Sequence, residues 1–449
     1  MPMDRSHDRE IWRLAIPAFL ALVAEPLFLM ADSAIVGHLG TSQLAGLGIA
    51  GAVLQTIVGL CVFLAYGTTA GVARRIGAGD LRGAIAQGVD GLWLAVIIGV
   101  LVTVPGILLA APLSRALGAG DEVVGPATTY LRIACLGVTP LLLMLAATGV
   151  LRGLQDTKTP MVVAIGGNAL NVALNIVLVY GAGLGIAGSA TGSVIAQLLA
   201  ASVLVYVVVR AARRHGASTG PDFSGIRSAA RAGVALVIRT LTLRAALLAT
   251  TYAVSHVATD GSHQQAVDLA SHQIANTLWS FLSFVLDAIA IAAQALTGRA
   301  LGAGQTSGTR AITARMVWWG VVVGIVAGAL LAAASPLLGA PFTDDHEVRD
   351  RLIPVLVIAG LGQPVAGVVF VLDGVLIGAG DGRYLAWGGV VVLLAYVPLL
   401  ALTVALGGGL AWVWVTFAFV FMGARFVVLT LRARGTRWLV TGIDARVGS

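Results

Sequence analysis

Two acidic residues, Glu25 and Asp32, lie seven positions apart in the first long apolar stretch of the sequence. Residues at this spacing share one face of an α-helix. Pro26 stands between them and removes one backbone hydrogen bond, so it can act as a hinge in that helix. A carboxyl group in apolar surroundings can bind and release a proton near the working pH. These three residues therefore predict a helix whose bending is coupled to binding of a proton or another cation.

A second set of polar side chains forms a stripe further along the chain. Asn168, Asn171 and Asn175 stand at positions i, i+3 and i+7, which lie on one face of a helix. An amide oxygen can accept a hydrogen bond or ligate a cation, but the amide does not titrate. We expect Asn171 and Asn175 either to assist the coupling residues or only to hold neighbouring helices together.

Three further acids, Asp90, Asp287 and Asp373, also fall inside apolar stretches. A charge at the centre of a bilayer costs at least ~2.5–3.5 kcal/mol, so such residues are functional candidates. We expect Asp287 and Asp373 to take part in coupling, or instead to pair with an intramembrane arginine, for which Arg244 is the candidate. Arg239 is expected to extend its side chain to the cytoplasmic edge of the membrane.

The elements that must position these groups are membrane-spanning helices. Of the 449 residues, 58% are hydrophobic and only 11% are charged, whereas a soluble protein has roughly 25% charged residues. A water-soluble protein is therefore excluded. A helix of ~20 apolar residues crosses the hydrocarbon core, and twelve such spans can be marked. They run over residues 11–36, 44–72, 84–110, 122–147, 160–180, 187–210, 234–256, 266–297, 314–338, 352–377, 384–406 and 410–431.

The basic residues collect on one side of these spans. With the N-terminus placed inside, the inner loops hold 22 Lys and Arg residues, and the outer loops hold only Arg115, Arg349 and Arg351. Cytoplasmic loops of membrane proteins are enriched in basic residues. The distribution predicts that both termini are cytoplasmic and that the net charge of +7 reflects topology rather than nucleic-acid binding. Cys61 and Cys135 lie inside spans, so we expect no disulfide framework.

The sequence also contains an internal repeat with a constant offset of 225 residues. Arg74 and the Gly-Ala-Gly at 77–79 recur as Arg299 and the Gly-Ala-Gly at 302–304, and the glycine-rich motif at 149–156 recurs at 374–381. Two sets of six spans that start on the same side imply parallel repeats. We predict an N-terminal lobe at residues 1–215, a cytoplasmic linker at 216–230 and a C-terminal lobe at 231–449.

Residues 26–40, PLFLMADSAIVGHLG, resemble the first-helix signature of the multidrug and toxic compound extrusion (MATE) transporters, and more narrowly of their DinF-like branch. The segments GAGD at 77–80, GVLRGLQDTK at 149–158 and DGVLIGAGD at 373–381 match in the same order. The resemblance covers nearly the whole chain. It implies an all-α polytopic membrane protein with twelve transmembrane helices in two six-helix parallel-repeat lobes around a V-shaped cleft.

The resemblance also implies drug export coupled to the entry of H⁺ or Na⁺, with Asp32 as the coupling acid. Many MATE proteins carry Asn-x-x-x-Asp in the fifth span, where this sequence has Asn171 and Asn175, so the second acid is missing. The family pattern places Ser193 near this stripe. Asp373 matches an acid of the C-lobe cation site of the Na⁺-coupled branch, but the glutamate of that branch in span seven has no counterpart here. We predict H⁺ coupling through Asp32 and keep Na⁺ as the alternative.

The predicted function is that of a secondary-active multidrug efflux antiporter for amphipathic or cationic compounds, working by alternating access. Phe28, Ser193, Arg244 and Trp279 are the candidates for lining the substrate cleft, since aromatic faces attract cations. We expect no cofactor, no metal, no enzymatic activity and no nucleic-acid partner. We expect a monomer in a bacterial inner membrane, because 27 arginines and one lysine are typical of high-GC genomes.

Two other functions fit the same sequence. One keeps the fold but exports an endogenous metabolite, or flips a lipid precursor across the membrane. The other is a channel or membrane sensor without coupled transport.

Overall fold

The computed structural model describes residues 6–257 and 261–443, which form α-helices joined by short loops and contain no β-strand. The predicted all-α architecture is confirmed. Among the charged residues that the sequence assigns to loops, Asp4, Arg5, Asp260, Asp444 and Arg446 lie outside the described residues. The helices are α1 (Ser6–Gly37), α2 (Thr41–Cys61), α3 (Phe63–Gly77), α4 (Leu81–Leu108), α5 (Ala110–Ala116), α6 (Asp121–Leu136), α7 (Val138–Gly153), α8 (Lys158–Ile176), α9 (Gly185–Arg214), α10 (Phe223–Ser255), α11 (Ser262–Gly302), α12 (Thr306–Leu338), α13 (His346–Gly378), α14 (Gly382–Ala405), α15 (Leu410–Val415) and α16 (Met422–Arg434).

These helices supply the predicted membrane spans. Eleven helical stretches are long and apolar enough to cross a membrane, and α6 with α7 makes a twelfth when the pair is counted as one span. The axes of that pair differ by 46°. Two π-helical turns interrupt the later spans of the chain, Val177–Gly181 after α8 and Thr416–Phe421 between α15 and α16. Such turns occur frequently at functional sites.

The helix boundaries follow the sequence repeat. α3 and α11 end 225 residues apart, as do α7 and α13, while α4 and α12 begin 225 residues apart. The turns correspond as well. Gly79 and Gly304 have φ angles of 78° and 75°, in the left-handed region that glycine adopts without steric cost. The repeated Gly-Ala-Gly motif therefore ends α3 and α11 with the same backbone turn.

Contacts divide the chain into two compact units. One contains Ile16–Val234, and the other contains Met1–Ala15 together with Ala235–Ser449. We call them the first and the second unit. The lobe boundaries at residues 215 and 231 stay a prediction.

The N-terminal end of α1 is fixed within the second unit by a carboxylate. Asp8 accepts hydrogen bonds from the Nε and Nη2 atoms of Arg315 at 2.6 and 2.5 Å, and from the indole of Trp319 at 2.8 Å. A bidentate guanidinium–carboxylate pair of this kind is both strong and specific in geometry. Glu10 also pairs with Arg299 at 3.0 Å. The first turns of α1 are thus held by α11 and α12.

The chain segment before α10 is fixed within the first unit. Asp90 on α4 accepts a hydrogen bond from the backbone N–H of Asp222 at 3.2 Å, and the Trp93 indole donates to the carbonyl of Thr219 at 3.2 Å. The Ser224 hydroxyl and backbone N–H donate to Asp222 in turn, and these bonds keep the pKa of Asp222 below its usual range. Asp90 therefore anchors the predicted linker.

Small residues bring α12 and α13 close together. Gly320, Gly324 and Gly328 stand four residues apart and form one stripe on α12. Each of them faces a backbone carbonyl of α13, and a Cβ atom added at Gly324 would lie 2.5 Å from the carbonyl oxygen of Gln363. Helices in lipid associate through such close backbone contacts, which the high glycine content of the sequence favours.

We predict that Gly324→Val lowers the thermal unfolding temperature of the purified protein, because its branched side chain cannot fit against the α13 backbone. Overpacking of this kind costs about 1–3 kcal/mol. The matched control is Gly51→Val on α2, where an added Cβ would meet no atom within 4 Å. Equal losses in the two variants would show that the close approach of α12 and α13 does not stabilise the fold.

Candidate functional site

The first unit holds a deeply buried carboxylate that accepts hydrogen bonds from three neutral side chains. Asp32, in the second half of α1, is 2% exposed. Its Oδ1 atom accepts hydrogen bonds from the Ser189 hydroxyl at 2.5 Å and from the Asn175 amide at 2.8 Å. Its Oδ2 atom accepts from the Tyr130 hydroxyl at 3.3 Å. Since the donors lie on α9, α8 and α6, three helices converge on one carboxyl group of α1.

Glycines allow α9 to approach α8 closely enough for this convergence. An added Cβ at Gly188 would lie 2.8 Å from the backbone of the π-helical turn after α8, and one at Gly192 would collide with the side chain of Asn175. The π-helical turn is also tied to α1, because the Tyr180 hydroxyl donates to the carbonyl of Ile35 at 2.7 Å. Ser189 is thereby brought against Asp32.

The amide stripe of α8 contributes two buried members to this site. Asn171 and Asn175 are buried, whereas Asn168 is only half-buried. The Asn171 amide donates to the Ser193 hydroxyl at 3.3 Å, so Ser193 lies beside the stripe. The Oδ1 atom of Asn175 is buried and has no hydrogen-bond partner within the described part of the chain. One strong acceptor next to Asp32 is therefore unused.

Asp32 has no cationic partner in the part of the chain that the structure describes. In the two described ranges, no nitrogen of Lys, Arg or His lies within 4.0 Å of its carboxylate. Burial disfavours the ionised form of such a group, while hydrogen bonds from three donors favour it. No ion pair with a described residue therefore fixes the protonation state of Asp32.

The other α1 residues proposed from the sequence lie outside this cluster. Glu25 is exposed and has no hydrogen bond or ion pair with any described residue. Pro26 and Phe28 are half-buried, and α1 continues as one helix through Pro26. The hinge at Pro26 and the role of Glu25 stay predictions.

In the second unit, the acid of α13 forms ion pairs. Both oxygens of Asp373 accept hydrogen bonds from Arg239, with Nε at 3.3 Å from Oδ1 and Nη2 bonded to Oδ2. Arg425 also lies nearby, with Nη2 at 3.6 Å from Oδ1. The predicted partner Arg244 is instead exposed. The expectation that Arg239 reaches the membrane edge is wrong, because a buried carboxylate within reach holds its guanidinium inside the helix bundle.

The two remaining sequence candidates lie on α11. Asp287 is half-buried, and Trp279 is half-buried against the ring of Phe417 at 5.1 Å between centroids. Phe417 also packs against Trp414 and Phe421, so Trp279 belongs to an aromatic cluster. The role of Trp279 in a substrate cleft stays a prediction.

Sequence reasoning missed four residues that the structure places in polar clusters. Ser189 and Tyr130 donate to Asp32, and the sequence signal for Ser189 is its place within the small-residue run at 188–193. Arg425 was assigned to a loop, although it lies inside the predicted last span. His272 is buried on α11 with Nε2 3.0 Å from the Thr251 hydroxyl, rather than in a loop.

The MatE family pattern matches residues 17–177 and 241–402, which are the two halves of the sequence repeat. The chain belongs to the MATE family. The resemblance drawn from its motifs is therefore confirmed. Asp32, Tyr130 and Asn175 lie in the first of the two matched MATE segments, and Ser189 follows it.

Several MATE relatives are similar over most of their length. The chain is 33% identical to "Protein DETOXIFICATION 44, chloroplastic" of Arabidopsis thaliana, over 95% of this chain and 82% of the relative. It is 28% identical to "DNA damage-inducible protein F" of Escherichia coli K12, over 83% and 81% of the two chains. It is 25% identical to "Probable multidrug resistance protein NorM" of Thermotoga maritima, over 83% and 80%.

A solved structure has the same fold. It is described as the outward-facing conformation of a multidrug resistance MATE family transporter, and it matches with a TM-score of 0.85 at 22% identity over 94% of this chain and 95% of that chain. The predicted MATE fold is confirmed.

Proposed function

We propose that this MATE protein is a secondary-active exporter of amphipathic or cationic compounds that exchanges them for H⁺ bound at Asp32. Members of its family are transporters, and this much is shown by the family match. The observation that carries the proposed coupling is the burial of Asp32 among three neutral donors, with no cationic partner among the described residues. A buried acid of this kind changes its charge when it binds one proton.

The geometry suggests how protonation would change the conformation. The ionised carboxylate holds three donors from α6, α8 and α9 against α1. Hydrogen bonds to an ionised acceptor are roughly twice as strong as those to a neutral one. Protonation of one carboxylate oxygen would weaken these bonds and release α1 to bend near Pro26. Each 1.4 kcal/mol of free-energy difference between two conformations changes their ratio about tenfold. Losing part of this hydrogen-bond network is therefore sufficient to shift the equilibrium between the two conformations of α1.

Sodium is the second candidate for the coupling ion. The buried Oδ1 atom of Asn175 has no described hydrogen-bond partner, and its amide nitrogen lies 2.8 Å from Asp32. An amide oxygen next to a carboxylate is a plausible pair of oxygen ligands for a cation. This observation keeps Na⁺ as the second candidate.

The names of the relatives support the proposed cargo. One bacterial relative is named a probable multidrug resistance protein and a plant relative is named for detoxification. Bacterial relatives and the asymmetric distribution of arginine support a bacterial inner membrane with cytoplasmic termini. We propose that the protein works as a monomer, without a cofactor or metal and without enzymatic activity.

Transport in proteoliposomes tests this function. The purified chain is reconstituted, and flux of ethidium, a fluorescent lipophilic cation, is followed under an imposed pH gradient, an imposed Na⁺ gradient or neither. We expect the pH gradient to drive ethidium against its concentration gradient. Flux that follows only the Na⁺ gradient would assign Na⁺ as the coupling ion. Flux that ignores both gradients would indicate a channel, and absence of ethidium flux alongside movement of a labelled lipid would indicate a flippase.

We predict that Asn175→Leu lowers the rate of pH-driven ethidium export by about 10- to 100-fold, because Asp32 loses a donor. A hydrogen bond to a charged group is worth about 1.5–3 kcal/mol. The matched control is Asn168→Leu, which alters the same helix at an amide with no described partner and should transport normally. Equal effects of the two substitutions would show that the bond to Asp32 is not what matters.

A further inference from the structure

The second unit contains a small cavity lined by three charged side chains. Arg239, Asp373 and Arg425 supply the charges, and Thr242 together with apolar and glycine residues of α10, α14 and α16 completes the lining. Its volume is about 20 Å³, and a cavity needs about 10–15 Å³ to admit one water molecule. The space therefore admits at least one water-sized particle.

Arg425 lines this cavity, and its N–H groups form no hydrogen bond with any described residue. The residue is 9% exposed. Its nearest carboxylate oxygen, Oδ1 of Asp373, is 3.6 Å away, which is longer than a hydrogen bond. Its guanidinium lies 5.9 Å from the ring centre of Phe421. Among the described residues no acceptor forms a hydrogen bond with Arg425. A guanidinium has five N–H donors, and those of Arg425 remain accessible to a small species in the cavity.

Asp373 cannot serve both arginines. Its two oxygens accept the forked pair of donors from Arg239, an arrangement in which the two planar groups face each other. The charged lining of the cavity thus consists of two guanidinium groups and one carboxylate, and the carboxylate is turned toward Arg239. A negative charge in the cavity would therefore balance the positive charge of Arg425.

We infer that this cavity binds a monovalent inorganic anion of halide size, with Arg425 as its main ligand. Such an anion accepts the free N–H donors of Arg425 and balances its charge inside the helix bundle. Chloride is a monatomic anion with the required charge. This site is independent of the proposed coupling at Asp32, because it lies in the other unit and uses no residue of that cluster.

Thermal unfolding of the full chain in detergent tests the site. Sodium gluconate is replaced stepwise by sodium chloride at constant ionic strength, since a ligand that binds the folded state raises the unfolding temperature in a saturable way. We expect saturable stabilisation by chloride in the natural protein and equally in Arg244→Gln, which alters an exposed arginine of the same unit. We expect none in Arg425→Gln. A response of Arg425→Gln equal to that of the natural protein, or no response in any of them, would overturn the inference.

A second measurement uses the natural protein, so the inference can still be tested if Arg425→Gln does not fold. The natural protein is crystallised in the presence of bromide, and anomalous scattering then shows where bromide binds. We expect an anomalous peak beside the Arg425 guanidinium. Bromide peaks only at other places on the protein would contradict the site.

In Asp373→Asn, where the competing carboxylate is removed, we expect the chloride concentration for half-maximal stabilisation to fall several-fold. An unchanged or higher concentration would also contradict the site.

Discussion

Replacing Asp32 by asparagine should abolish gradient-driven export while leaving the protein folded. Asparagine keeps the size of the side chain and one acceptor oxygen, but it can neither bind a proton nor carry a charge. Holding a charge inside the bilayer is worth at least ~2.5–3.5 kcal/mol, which corresponds to roughly a 100-fold change in a two-state equilibrium. We therefore expect the rate of pH-driven ethidium export by Asp32→Asn to fall at least about 100-fold.

The control for this substitution is Asp121→Asn, which changes an exposed acid at the start of α6. It should transport at the natural rate, and both variants should show the natural yield and thermal unfolding temperature. The opposite pattern would move the coupling to the second unit. In that pattern Asp32→Asn transports normally, Asp373→Asn is inactive and flux follows the Na⁺ gradient.

Replacing Asp373 by asparagine should act mainly on stability. The change leaves Arg239 and Arg425 buried without the carboxylate that both of them face. Removing one partner of a buried ion pair destabilises a protein by about 3–5 kcal/mol. We expect a correspondingly lower thermal unfolding temperature in chloride-free buffer. The molecules that remain folded should lose much less export activity than Asp32→Asn, because Asp373 lies outside the proposed coupling site.

Two further variants separate this effect from a general loss. Asp350→Asn removes an exposed acid of the same helix, α13, and should leave stability unchanged. Adding Arg239→Gln to Asp373→Asn should restore part of the lost stability, because removing both partners costs less than removing one. A single Asp373→Asn variant as stable as the natural protein would show that the ion pairs do not hold this unit together.

The spans could be predicted from the sequence because their apolar runs are long, and the turns because the glycine motifs repeat. What the sequence could not predict is the asymmetry between the repeats. Gly137 and Gly362 occupy equivalent positions, yet the first lies at the break between α6 and α7 and the second lies inside the continuous helix α13. Both residues permit a bend, so the packing around each helix decides whether it occurs.

The candidate coupling site was foreseen in part. Helical spacing and the family resemblance pointed to Asp32 and to the amides of α8, since periodicity shows which residues share a face. Neither signal shows which faces of the other helices pack against the face of α1 that carries Asp32. Ser189 and Tyr130 were missed for this reason. Arg239 was misplaced because the acid that holds it, Asp373, has no acidic counterpart in the first repeat, where Thr148 stands at the equivalent position.

Proton movement measured directly is the most decisive test of coupling through Asp32. Proteoliposomes that contain a pH-sensitive dye are prepared without Na⁺, and ethidium is added to one side only. We expect ethidium to drive a counterflow of protons, seen as a change in internal pH, in the natural protein and in Asp121→Asn but not in Asp32→Asn. Proton counterflow that persists in Asp32→Asn, or that is absent from the natural protein until Na⁺ is supplied, would contradict proton coupling at this residue.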